Sequence, residues 1–311
     1  MKRLCLLCTT VAGTLACAGV ALAAGTLHIE VLSGRADLVS GGSALVAIDL
    51  PRGASAKGLE VMVGRRDVSR AFALRPNGRI EGLIEGMRVG KDIVVAMLPD
   101  GGGAKITITN HPNGGPVFSG PHVEPWTCQK TAIDANCDEP PRFTYLYKST
   151  DPSQTELQPY DPSHPASDVA TTTTDSGVTV PFIVREETGY EDRDRYRIEA
   201  LYQPGRPWSP WAPQRQWDHK LLITHGGSCH SSYEPTDPPW GNGALTGTPG
   251  MEDISTVALG RGLTVASTAL DNSGANCNVA LQAESIMMLK EHIAESYGDI
   301  DYTIGEGCSG G

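Results

Sequence analysis

The stretch Asp301-Tyr302-Thr303-Ile304-Gly305-Glu306-Gly307-Cys308-Ser309-Gly310-Gly311 decides how the rest of the sequence is read. Tyr302-Thr303-Ile304 is a short β-favouring run that passes directly into glycines. Within them, Gly307-Cys308-Ser309-Gly310-Gly311 fits G-x-S-x-G, the pattern of a nucleophile elbow, a strand-to-helix turn so sharp that its serine sits in strained backbone. The residues two before and two after that serine have no room for a Cβ. This makes Gly307 and Gly311 the elbow glycines and Ser309 the candidate nucleophile. The same residues also fit G-x-G-x-x-G through Gly305, Gly307 and Gly310, a dinucleotide-binding fingerprint, and a Gly-rich chain forms plain turns as well. The surrounding chain has to decide between them.

From Val178 onward the pattern alternates between strand and helix. Residues 179–186 and 196–202 are strand-like runs joined by Glu191-Asp192-Arg193-Asp194. That charged turn reads as a solvated hairpin tip; calcium is set aside because no full set of oxygen ligands follows. Residues 220–224 form a buried-strand run ending in His225-Gly226-Gly227, and residues 262–268 form another. Residues 278–297 read as a helix, with Ile286, Leu289, Ile293 and Tyr297 as its apolar stripe and Gly298 at the C-terminal cap. Such alternation predicts a mostly parallel sheet, whose active sites form at the carboxyl ends of the strands. Both His225-Gly226-Gly227-Ser228 and Ser309 fall at such ends. The dinucleotide fingerprint wants the first strand of a βαβ unit, yet at least two sheet strands come earlier here. A dinucleotide-binding oxidoreductase therefore ranks behind a hydrolase.

Ester cleavage by serine needs a nucleophile, a base and donors for the oxyanion. Ser309 supplies the first. The backbone N–H of Gly310 is one predicted oxyanion donor, and the loop at Gly227 and Ser228 supplies the other. In this architecture the acid and the histidine base follow the serine in chain order. No histidine follows Ser309, so the expectation is a truncated product, lacking acid and base and with negligible esterase activity of its own. His225, Cys229 and His230 match no common zinc spacing, so neither a metal nor another cofactor is expected.

The start of the chain gives the address. Lys2 and Arg3 precede an apolar run from Leu4 to Leu15, and Ala21-Leu22-Ala23 is an A-x-A cleavage site, so residues 1–23 read as a signal peptide and the protein as secreted or periplasmic. No other stretch has the length and apolarity of a membrane span. The formal net charge is −11 over 311 residues, which argues against nucleic acid as a partner. Of eight cysteines, Cys128, Cys137, Cys229, Cys277 and Cys308 lie beyond the signal. Cys128 is expected to pair with Cys137 and Cys229 with Cys277, leaving Cys308 unpaired. Residues 24–123 read as a β-sandwich, with short strands at 28–32, 44–50, 59–63, 92–98 and 105–109 between Gly- and Pro-rich turns. Residues 124–177, rich in Pro, Asp, Ser and Thr, read as an irregular, disulfide-pinned connection. Residues 178–311 complete an α/β reading: an N-terminal β-sandwich followed by an incomplete α/β-hydrolase-like domain.

The sequence resembles a family of exported bacterial proteins known only as a domain of unknown function. The resemblance rests on residues 32–37 (Leu-Ser-Gly-Arg-Ala-Asp), 109–116 (Thr-Asn-His-Pro-Asn-Gly-Gly-Pro), 180–186 (Val-Pro-Phe-Ile-Val-Arg-Glu) and the Gly305–Gly311 turn. It implies an α/β-hydrolase-like catalytic part. The elbow also resembles that of tannases and feruloyl esterases. In those enzymes the cysteine before the nucleophile bridges to one beside the catalytic histidine, which would account for Cys308. The function expected is an exported serine hydrolase acting on a small-molecule or polymeric ester. The alternative is a non-catalytic exported binding or surface protein whose elbow is incidental.

Overall fold

The computed structural model describes residues 26–239 and 253–307. The signal peptide at residues 1–23 and the elbow residues Cys308, Ser309, Gly310 and Gly311 lie outside the described residues.

The front part stacks two sheets. One holds His28–Val31, Ala44–Asp49, Ile80–Ile84 and Ala73–Leu74; the other holds Val39–Ser40, Gly103–His111, Gly90–Met97, Glu60–Val63 and Arg66–Asp67. Val46, Ile48, Val61, Ile84, Val94 and Ile108 fill the space between them. Each of the five strands expected here is present, within two residues at either end. The strand Ile80–Ile84 was not foreseen, because Glu81-Gly82 interrupts its apolar run. Gly82 is required there: a Cβ would come 2.8 Å from the Phe72 ring.

The back part is a seven-stranded sheet flanked by helices. Its principal elements are β1 (Ile183–Glu191), β2 (Asp194–Leu201), β3 (Lys220–Thr224), α1 (Ile254–Gly260), β4 (Thr264–Thr268), α2 (Val279–Ser296) and β5 (Tyr302–Glu306). Spatially the strands run Gln158–Pro159, Arg142–Tyr147, β1, β2, β4, β3, β5. Only the β3–β4 and β3–β5 pairs are parallel; the others are antiparallel. The expectation of a mostly parallel sheet is therefore corrected to a mixed one. The cause is local: β1 and β2 are joined by just Asp192 and Arg193, with φ of 51° and 71°, a tight turn that returns the chain antiparallel. The stretch expected to be irregular also contributes Arg142–Tyr147, Gln158–Pro159 and Thr171–Thr173. The alternation Phe143, Tyr145, Tyr147 carries a period-2 signal that the flanking prolines hide.

Burial along β3 explains the two helices. Leu221 and Ile223 pack with Leu289, Ile293 and Tyr297 of α2, whereas Leu222 packs with Ala258 and Leu259 of α1. Successive strand residues point to opposite faces, so one apolar run supports a helix on each side. Helix α2 follows the predicted stripe. Asn278 caps its start by accepting from the amides of Ala280 and Leu281, and Gly298, at φ +121°, turns the chain away. The short α1 was not foreseen; the Asp253 carboxylate caps it by accepting from the Thr256 amide. No helix among the described residues is long and apolar enough to cross a membrane.

The opposite face of α2 is acidic and also buried. Glu284, Glu291 and Glu295 meet the front part there. Both Glu291 oxygens accept from the Ser40 amide, at 3.0 and 3.2 Å, and Oε2 also accepts from Ser40 Oγ at 2.7 Å; Ser43 Oγ donates to Glu295. On β1, Glu187 accepts from Tyr196 at 2.9 Å and Tyr297 at 2.6 Å, and its Oε1 lies 2.7 Å from His292 Nε2. The hairpin tip at Glu191-Asp192-Arg193-Asp194, expected to be solvated, is buried instead, with Asp192 1%, Arg193 8% and Asp194 2% exposed. Chain from the front part lies over it. The Asp192 amide donates to Asn113 O at 2.8 Å, and the Arg193 guanidinium stacks 4.7 Å from the Trp126 ring while donating to Val123 O.

This seam has a pH signature. Burial, with Glu295 and Glu191 adding repulsion, pushes Glu291 up to about 9 despite the Ser40 donors. Burial opposes charge on His292, but the Glu187 contact and the charges of Glu191, Glu187 and Glu295 outweigh it and raise it to about 9. Both groups bind protons more tightly when folded, so their contribution is complete below their unfolded values and is lost as pH rises through about 9. The unfolding temperature is expected to fall as pH rises from about 4.5 to about 9, and Glu291→Gln should flatten that slope in a calorimetric pH series.

Candidate active site

Three parallel strands bring their carboxyl ends to one edge of the sheet. β3 is central, with β4 on one side and β5 on the other. Thr224 is level with Glu306, and the His225 amide donates to Glu306 O at 2.7 Å. β3 and β5 therefore end at the same height. Gly307, the first glycine of the predicted elbow, follows β5 directly and is the last residue described.

His225 stands at that edge between its two neighbours. Its Nδ1 lies 2.6 Å from Asp271 Oδ2, at the end of the short turn that follows β4. On the other side the ring lies against β5, where a Cβ on Gly305 would come 2.9 Å from Nε2. Gly305 is glycine because the imidazole occupies the space a side chain would take. The Asp271 contact raises the His225 pKa, against the opposing effect of burial. Burial raises Asp271, while His225 draws it back. The pair thus favours the protonated imidazole relative to a free histidine.

The loop from Gly226 to Ser232 is bound along its length to the segment after β4. The His230 amide donates to Ser273 O at 2.9 Å and the Ser232 amide to Ala275 O at 2.7 Å. Cys229 and Cys277 form a disulfide, as do Cys128 and Cys137. The Cys229–Cys277 bridge closes 48 residues, worth about 4 kcal/mol in the chain-entropy account. Gly226 is packed so closely that a Cβ would fall 1.9 Å from Asn272 Oδ1. Ser228 sits at φ +76°, a left-handed conformation that a non-glycine residue holds only under constraint. Gly227 and Ser228, the predicted oxyanion residues, thus lie on a loop fixed by hydrogen bonds and a disulfide beside the end of β5.

Of the predicted site, Gly227 and Ser228 lie with His225 on the loop after β3, and Gly307 directly follows β5; Cys308, Ser309, Gly310 and Gly311 lie outside the described residues. Within the set His225, Cys229 and His230, Cys229 is bridged to Cys277 and offers no thiolate. Asp271 was missed in the sequence. It follows the apolar β4 within Asp271-Asn272-Ser273-Gly274, a run that reads as an ordinary turn, and only the fold places it opposite His225.

The chain belongs to the tannase-like family of unknown function (DUF6351), which matches residues 29–311 and so takes in the front sheets as well as the back part. No curated protein matches it significantly.

Two substitutions test this geometry. Asp271→Asn removes the raising contact, so His225 should titrate at or below its ordinary 6.5 in an NMR pH series. Gly226→Ala forces overlap with Asn272 and should cost about 1–3 kcal/mol in denaturant unfolding.

Proposed function

We propose that this tannase-like protein is an exported serine hydrolase that cleaves carboxylic esters through an acyl-enzyme on Ser309. The observation that supports the reading is the flush pairing of β3 and β5, which ends β5 at Glu306, one residue before the predicted elbow, level with the start of the His225–Ser228 loop. A nucleophile elbow with an oxyanion loop needs that adjacency.

In this reading Ser309 Oγ attacks the ester carbonyl carbon. The carbonyl oxygen takes the negative charge and accepts from the backbone N–H of Gly310 and from the amides at Gly227 and Ser228. A general base takes the Ser309 proton and passes it to the departing alkoxide, which leaves as the alcohol; water, giving its proton to the same base, then attacks the acyl carbon and releases the acid and the free serine. Each oxyanion donor contributes about 3–4 kcal/mol to the transition state when the loop is held rigidly. The disulfide and the bonds to Ser273 and Ala275 supply that rigidity. His225, engaged by Asp271 and with its pKa raised, positions the loop and is not assigned as the base. Export agrees with the signal-like residues 1–23 and with two disulfides.

The test is covalent labelling. The protein expressed from its complete reading frame should react with a fluorophosphonate probe, and Ser309→Ala should abolish the label. A folded wild type that takes up no label would overturn the assignment in favour of a non-catalytic exported binding protein.

A further inference from the structure

The buried hairpin tip carries a second cluster, made of residues other than those of the candidate ester site. The Asp192 side chain is wholly shielded from solvent. Its Oδ1 lies 3.2 Å from His122 Nε2, and its Oδ2 has no hydrogen-bond partner among the described residues. Glu284 of α2, fully buried, forms the third wall. One donor atom from each of His122, Asp192 and Glu284 lies within 4.8 Å of the other two. Gly115 keeps the space open: a Cβ there would come 2.4 Å from Asp192 Oδ1 and 3.0 Å from His122 Nε2.

The cluster is electrostatically incomplete. Glu284 is supplied with donors from the strap above it: the amides of Phe118 and Ser119 on Oε2, and Ser119 Oγ on Oε1 at 2.9 Å. That leaves Oε1 with a free lone pair. On Asp192, Oδ1 meets the His122 ring and Oδ2 has no donor, and its neighbouring cation is engaged elsewhere, Arg193 donating to Glu124 and Val123 O. His122 brings an imidazole nitrogen to the same space, 3.2 Å from Asp192 Oδ1. A buried carboxylate without a donor costs several kcal/mol unless a proton or a cation completes the site.

We propose that His122, Asp192 and Glu284 bind a divalent transition-metal cation, Zn²⁺ foremost, which ties the front part of the chain to the back. One imidazole with two carboxylates suits Zn²⁺ better than the all-oxygen cations Ca²⁺ and Mg²⁺. Donors tetrahedrally placed at about 2.0–2.1 Å from Zn²⁺ stand about 3.3 Å apart, close to the 3.2 Å between His122 and Asp192. The three ligands come from separate pieces of chain: the strap leaving the front sheets, the β1–β2 turn and helix α2. A cation there cross-links all three.

The experiment uses the whole purified protein, loaded with Zn²⁺, dialysed and assayed by elemental mass spectrometry and thermal unfolding. About one equivalent of zinc should remain bound, and EDTA should strip it and lower the unfolding temperature. His122→Ala and the near-isosteric Asp192→Asn should each lose the metal and become insensitive to EDTA. A wild type that retains neither Zn²⁺ nor Mn²⁺ and unfolds at the same temperature with or without EDTA would sink the proposal. Should the variants fail to fold, the wild-type metal content and EDTA response still decide.

Discussion

The contact between His225 and Asp271 governs the carboxyl edge of the sheet. It crosses from the end of β3 to the turn after β4 at 2.6 Å, and the imidazole then fills the space that Gly305 leaves on β5. Three strand ends are thereby fixed relative to one another by one side chain. The disulfide at Cys229–Cys277 and the amide bonds to Ser273 and Ala275 extend that fixation along the loop. An oxyanion site depends on preorganised donors, because donors that must move into place spend their interaction energy on reorganisation. The constraints here act on the loop that carries Gly227 and Ser228, which is where such rigidity has an effect.

A second set of constraints runs between the two parts of the chain. Helix α2 has an apolar face on the sheet and an acidic face on the front strands, and both are buried. Its acidic side chains are met by hydroxyls and amides of Ser40, Ser43, Phe118 and Ser119 rather than by lysine or arginine. The front sheets thus complete the hydrogen bonding of α2, and the family match across residues 29–311 fits two parts that belong together.

The sequence made some of this legible and hid the rest for identifiable reasons. Helix α2 was readable because Leu289, Ile293 and Tyr297 recur at helical spacing between an Asn cap and a Gly stop. The front strands were readable from period-2 runs between turns, and the two disulfides from proximity in the chain and placement after strands. Glu284, Glu291 and Glu295 were not, since hydropathy assigns three glutamates on one helix face to solvent. The turn at Asp192 failed for the same reason: four consecutive charged residues look solvated unless a distant segment is known to cover them. Asp271 needed the strand order, which no local pattern encodes. The hairpin of β1 and β2 was legible from its charged turn, but not its place in a mixed sheet, which depends on β2 pairing antiparallel with β4.

The bonds between Ser40 and Glu291 span 251 positions. A ribosome releases the front strands long before it makes the helix they will receive. The sandwich, whose core is closed within its own sheets, can condense early, but the polar rim around Ser40 must stay hydrated until α2 emerges. Maturation is therefore ordered in time, with docking of α2 as its late step. Damage to that rim would surface as slow assembly and exposure to proteases before it registered as a loss of equilibrium stability.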